Sequence, residues 1–339
     1  MGVVVRLEKE KAATSSMLAL SALVEDELEA VNALILELLE SDVNLIPEVG
    51  NHLIEAGGKR LRPMLTLATA RMCGYQGGNR HIKLAACVEF LHTATLLHDD
   101  VVDESDLRRG RPTANSLFGN QAAILVGDYL ISKSFHILVH DGSLDVLRVL
   151  SDAAVIIASG EVLQLSTQHR IETSEDSYLR VIEAKTAALF AAACEISAVL
   201  TERPAAEQEA LNAYGRNLGI AFQLVDDALD YRARQETLGK TVGDDFREGK
   251  ITLPVVLAYR RGTDEERKFW LRVMSGDKQK RGDLKQALTL MDKYRTLDDT
   301  VERARHYGEK AKDALALFPE GEERRALIEI VEFCIARAY

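Results

Sequence analysis

The chain has 339 residues, of which 47% are hydrophobic, and a formal net charge of −11 at pH 7. That acidity excludes nucleic acid as a general partner, because a phosphate backbone attracts basic surfaces, but it leaves room for a small phosphorylated substrate in a local basic pocket. No run approaches the roughly 18 uninterrupted apolar residues of a membrane span, and residues 1–16 lack the apolar core of a secretory signal. A soluble, cytoplasmic protein without a stable membrane anchor and with a flexible N-terminus is expected.

Six prolines and long alanine- and leucine-rich stretches predict helix almost everywhere. Residues 17–40 place Leu20, Leu23, Val24, Leu28, Val31, Leu34, Ile35 and Leu38 at helical spacing. Further helices are predicted over 62–73, 80–104, 114–140, 143–168, 175–200, 205–231 and 252–261. Pro63 suits a first helical turn, where its missing N–H costs nothing. Segments 84–97 and 187–200 are apolar nearly all round, as central helices are. The charged stretch 262–299 reads as one or two amphipathic, peripheral helices. Neither a convincing sheet nor an internal repeat is present, and no domain boundary is visible, so one all-α domain over 1–339 is expected. The four cysteines are widely spaced and form no CxxC pair, which predicts buried free thiols.

Chemistry enters with Asp99-Asp100-Val101-Val102-Asp103, at the end of an apolar helix. Residues four apart share a helical face, so Asp99 and Asp103 project together, roughly 5–6 Å apart. Like charges at that spacing call for a cation, and a hard divalent ion that also binds substrate phosphates is the natural partner. A single DDxxD is equally what a solvated acidic helix end looks like. However, Asp226-Asp227-Ala228-Leu229-Asp230 repeats the pattern after another apolar run. Two such triplets facing one cavity make a site for several Mg²⁺ ions and a diphosphate.

The basic residues complete the pattern. Gly58-Lys59-Arg60-Leu61-Arg62-Pro63 sets three cations at a loop-to-helix junction, where helix amides also favour anions. Arg108 and Arg109 follow the first acidic motif, Lys185-Thr186 lies on a middle helix, and Lys240 and Lys250 bracket a glycine-rich acidic loop. Together they exceed what one diphosphate needs and point to two anionic substrates.

With these motifs the chain resembles the trans-isoprenyl diphosphate synthase (polyprenyl synthetase) family, and within it the long-chain polyprenyl diphosphate synthases. The stretch from Phe90 through Asp103 to Gly110 looks like the family's first aspartate-rich motif, and Gly219 through Tyr231 like its second. The resemblance covers nearly the whole chain from about Glu25. It implies an all-α, single-domain helical bundle of the isoprenoid synthase type around a central cavity, usually as a homodimer.

The resemblance also implies roles. Asp99, Asp100 and Asp103 would hold Mg²⁺ against an allylic diphosphate, and Asp226, with Asp227 and Asp230, would hold another ion from the opposite side, three ions in all. Arg108, Lys185 and Lys240 would bind the allylic diphosphate; Lys59, Arg60, His92 and Arg109 would bind isopentenyl diphosphate. Thr186 and Gln223 would stabilise cationic charge through their oxygens. Short-chain members carry bulky aromatic residues just before the first motif, where this chain has Ala94 and Thr95, so a deep tunnel and an octaprenyl to decaprenyl product are expected. Phe90, half a turn round from Asp99, should point elsewhere. Leu130, Phe135 and Leu138 are candidates for the tunnel floor, and the 239–250 loop for a closing element. A terpene cyclase would carry a different second metal motif, a non-catalytic partner subunit would typically lose one aspartate motif, and a shorter-chain synthase is the nearest alternative.

Overall fold

A computed structural model describes residues 17–55, 58–108, 110–232, 243–275 and 279–338. Helices run in the order α1 (Glu25–Leu39), α2 (Leu45–Glu55), α3 (Leu61–Met72) and α4 (Arg80–Val102). A two-residue hairpin follows, β1 (Leu107–Arg108) with β2 (Arg111–Pro112), then α5 (Ala114–Phe118), α6 (Asn120–Asp141) and α7 (Leu144–Thr167). Next come α8 (Glu175–Ile182), a π-helical turn (Glu183–Ala187), α9 (Ala188–Leu200) and α10 (Ala205–Arg232). The chain ends with α11 (Asp244–Arg247), α12 (Leu253–Arg261), α13 (Asp264–Val273), α14 (Asp283–Lys293), α15 (Thr296–Ala314) and α16 (Glu322–Ala336). The expected all-α architecture is what forms.

The centre is built from the two segments whose composition is apolar all round. Helix α4 buries Leu84, Cys87, Val88, Leu91, Ala94 and Leu97 and packs against α6, while α9 buries Leu189, Phe190, Ala193 and Ile196 and packs against α10. Small residues set the second contact. A Cβ on Gly215 would fall 2.3 Å from the Phe190 carbonyl oxygen, and one on Gly219 would fall 2.6 Å from Ala187 Cα. Only glycine therefore lets α10 come this close to the chain that carries Lys185 and Thr186. All four cysteines are buried and free, as expected.

Three sequence expectations are corrected. The predicted helix 114–140 breaks at Gly119, whose φ of 85° favours glycine, into α5 and α6. The predicted helix 175–200 contains the π-turn. The stretch 262–299 is not peripheral: Trp270, Val273, Met274, Ala287 and Met291 are fully buried in a core of their own, into which Tyr231 and Phe246 also reach. Its high charge lies on the outer faces of α13 and α14, which hid the apolar stripe from a composition-based reading. Helix α6 is also long and apolar enough to cross a membrane by length and composition, although 44% of its most apolar window is buried inside the protein.

Candidate active site

Helix α10 contributes Asp227 to a cavity of about 160 Å³ that is also lined by Gln164, Tyr178, Lys185, Thr186, Gln223, Asp245, Lys250 and their neighbours. The first motif reaches it through two lysines. Lys185 Nζ lies 3.3 Å from Asp99 Oδ2, and Lys250 Nζ lies 3.3 Å from Asp103 Oδ2. Burial pushes the Asp99 carboxyl above its usual range, with Lys185 pulling the other way. For the lysines, burial works against the charge, yet the surrounding carboxylates outweigh it. Asp99 and Glu161 raise Lys185, while Asp245, Asp103 and Glu248 raise Lys250. Both ammonium groups are firmly protonated at neutral pH.

Asp100, between these two aspartates in sequence, turns the other way. It is 1% exposed and takes a forked pair of bonds from Arg108, Nη2 to Oδ1 at 2.7 Å and Nε to Oδ1 at 2.9 Å. The predicted diphosphate ligand Arg108 is thus anchored on a predicted metal ligand.

The second motif is engaged differently at each position. Asp226 pairs with Arg337 from the C-terminal end at 2.9 Å. Asp227 is buried and accepts from Gln223 Nε2 at 2.8 Å and from the Tyr178 hydroxyl; burial pushes its carboxyl up to about 6 against these two donors. Asp230 caps α11, accepting from the backbone N–H of Asp244 at 3.2 Å and of Asp245 at 3.1 Å. Gln223 is fixed at both ends, because its Oε1 also accepts from Thr186 Oγ1 at 2.8 Å. Tyr178 was not singled out in the sequence; nothing in the α8 pattern distinguishes it from a core tyrosine.

A second basic group lies where α3, α9 and α16 meet. Arg62 stacks over the Phe190 ring at 4.3 Å, its Nε is buried without a hydrogen-bond partner, and Lys59 lies 4.8 Å over the Phe333 ring. Burial lowers the Arg62 guanidinium to about 10, with Glu89 and Asp226 holding it up, so it stays charged at neutral pH. Arg60 makes different contacts. It stands in the left-handed region with φ 49°, pairs with the buried Glu89 carboxylate, and lines a small pocket with Phe90, Thr93, Leu130 and residues of α1 and α2. Arg60 and Arg62 are two apart and both stand near Glu89, the first paired with it and the second stacked on Phe190. His92 is half-buried on α4. Arg109 and Lys240 lie outside the described residues.

Ala94 is fully buried and Thr95 half-buried, its hydroxyl donating to the His92 carbonyl at 2.7 Å. Leu130 and Leu138 are buried on the inner face of α6, but Phe135 is 38% exposed on its outer face, so it does not form a tunnel floor within this chain. Phe90 lines the small pocket beside Arg60 together with Leu130.

No three carboxylate, imidazole or thiol groups converge tightly enough among the described residues to hold a metal by themselves. The donor set is nevertheless one that fits Mg²⁺, which is usually held by one or two carboxylates and completes its shell with water and substrate phosphate oxygens.

The polyprenyl synthetase family matches residues 43–291. The chain belongs to that family. It is 46% identical to the octaprenyl diphosphate synthase of Escherichia coli K12 over 318 residues, covering 94% of this chain and 98% of that one. Among solved structures, a decaprenyl diphosphate synthase from Rhodobacter capsulatus superposes with a TM-score of 0.91 at 49% identity, covering 95% of this chain and 99% of that one. A polyprenyl synthase from Caulobacter crescentus, solved with calcium and isoprenyl diphosphate, gives 0.91 at 48% identity, with coverage of 95% and 98%.

Proposed function

We infer that this chain is a prenyltransferase that condenses isopentenyl diphosphate successively onto an allylic diphosphate to give a long-chain all-trans polyprenyl diphosphate, of octaprenyl to decaprenyl length. The observation that carries the reading is that Lys185, Lys250 and Asp227 line one cavity while the two lysines pair with Asp99 and Asp103 of the first motif, on a chain of this family. A quinone side chain is the expected destination of the product.

Mg²⁺ held by Asp99, Asp103 and Asp226 would supply positive charge to the leaving diphosphate. Lys185, Lys250 and Arg108 add protein charge on the same side, and Arg108 is oriented for it by its fork on Asp100. The amide oxygen of Gln223, held by Thr186, places a fixed dipole where allylic cation charge develops. Lys59 and Arg62, with His92 and Arg109, bind isopentenyl diphosphate, so that its double bond stands beside the cation. No side chain stands out as a base, so the proton lost from the adduct goes to an oxygen of the departed diphosphate. The small Ala94 and Thr95 leave the path below Asp99 open to the growing tail.

The active form is a homodimer. Exposed apolar side chains gather on the outer faces of α6 (Ile124, Leu125, Val139) and α7 (Val155, Val162, Leu165), a patch of the kind that marks a protein interface.

The test is incubation with Mg²⁺, farnesyl diphosphate and radiolabelled isopentenyl diphosphate, with products resolved by length. A ladder ending in one long polyprenol supports the reading. Termination at four units or fewer establishes a short-chain synthase, and no incorporation by the folded protein with Mg²⁺ present overturns the reading in favour of a non-catalytic subunit.

A further inference from the structure

Glu161 takes no part in the roles assigned above, yet it stands at their centre. It projects from α7, and its Oε2 accepts from Lys185 Nζ at 2.7 Å, closer than the 3.3 Å between the same nitrogen and Asp99. Its other oxygen, Oε1, is buried and has no hydrogen-bond partner.

The backbone is shaped for this contact. A Cβ on Gly160 would lie 2.7 Å from Ala184 Cβ and 3.1 Å from the Lys185 backbone nitrogen, so α7 meets the π-turn with no side chain between them. The π-turn makes its own contribution. Its i→i+5 bonding narrows the angle between successive side chains, and Lys185 and Thr186 both line the cavity as a result.

An ammonium group has three N–H donors. Glu161 fixes one at 2.7 Å, while Asp99 stands 3.3 Å from the same nitrogen as an ion pair, which leaves a donor to turn towards the cavity. We propose that Glu161 is a positioning residue for the allylic diphosphate: it draws Lys185 away from Asp99 and aims the remaining N–H into the cavity, at a diphosphate oxygen. Without the Glu161 carboxylate, Lys185 collapses onto Asp99, competing for a metal ligand and turning its free donor aside. This deepens the proposed function and rests on Lys185 being a diphosphate-binding cation.

The experiment is steady-state kinetics of the full chain with Mg²⁺, varying farnesyl diphosphate and isopentenyl diphosphate separately, for Glu161→Gln, Glu161→Ala and Lys185→Ala. Glu161→Gln is isosteric and keeps the packing at Gly160, which a Tm equal to that of the parent verifies. Loss of one charge-assisted hydrogen bond predicts KM for farnesyl diphosphate raised about tenfold in both Glu161 variants, with KM for isopentenyl diphosphate changed by less than about twofold. The Mg²⁺ concentration for half-maximal rate rises with it. If Lys185→Ala raises KM for farnesyl diphosphate and Glu161→Gln does not, the positioning role is overturned while the role of Lys185 stands. If Lys185→Ala leaves that KM unchanged, the underlying reading of Lys185 fails. Equal rises in both KM values with a lowered Tm reduce Glu161 to a structural residue and overturn the proposal.

Discussion

The two aspartate motifs are written alike and built differently. Asp99 and Asp103 face cationic partners, the ammonium groups of Lys185 and Lys250, each 3.3 Å away. Asp227 and Asp230 face fixed donors of the protein itself: a tyrosine hydroxyl, a glutamine amide and two backbone N–H groups of α11. A carboxylate surrounded by lysine termini is poised for chemistry. One wrapped in short, rigid donors also holds the fold together, and in the second motif only Asp226, paired with the terminal Arg337, resembles the first. The lesson is that a repeated pattern specifies where charge is placed, while its neighbours specify what the charge does.

The contrast breaks most readily at the first motif. Asp99→Ala should leave Tm near that of the parent and cut turnover about a thousandfold, the loss of several kcal/mol of charge stabilisation in the transition state; single-turnover rates at saturating Mg²⁺ check it. Ala94→Phe should act on the product rather than the rate-determining charge, shifting the chromatographic ladder to shorter chains. An unchanged ladder would place the tail elsewhere.

At the second motif the expected loss is in stability as well as turnover. Asp227→Ala strands the Tyr178 hydroxyl and a Gln223 N–H in the interior, a cost of about 1–3 kcal/mol readable from urea unfolding. Asp230→Ala removes both acceptors at the start of α11 and should cost about 1 kcal/mol by the same method. Asp230→Asn, which keeps an acceptor, should lose less.

Glu266 is the reference for a carboxylate held only by the protein's own donors, far from either motif. Lys293, the Thr263 backbone N–H and Tyr294 hold its carboxyl down at about 2, against an ordinary 4.5. A depressed carboxyl stabilises the folded state above its unfolded pKa and loses that contribution as pH falls through the folded one. The Tm difference between the parent and Glu266→Gln should therefore be constant above pH 4.5 and vanish as pH falls from there towards 2. A difference that persisted at the acid end would mean that the exposed pair with Lys293 contributes nothing through charge.

Much of the site was legible before any fold was known. Helical spacing put Asp99 and Asp103 on one face, and their lysine partners were already candidates. Thr186 and Gln223 do meet, at 2.8 Å. What was not legible depends on direction about a helix start or across a packed pair. Arg60 and Arg62 are equivalent cations in sequence; in the fold the first has a left-handed φ and pairs with the buried Glu89, and Phe190 receives the second. Phe135 occupies an apolar stretch like its neighbours Leu130 and Leu138, and only the packing of α6 on α4 turns it outward. Glu161 gave no signal because a lone glutamate on a helix is ordinarily solvated.

By itself the sequence determined the helical class, the two acidic triplets and the family, since periodicity and motif spacing are local properties of a chain. Tertiary structure alone decided which aspartates face lysines and which are wrapped by the fold. It also decided which arginine pairs with Glu89 and which stacks on Phe190, and that α7 meets the π-turn closely enough for Glu161 to grip Lys185. Those outcomes depend on contacts between residues far apart in the chain, at distances of about 3 Å where a hydrogen bond forms or does not, and no spacing within one helix encodes them.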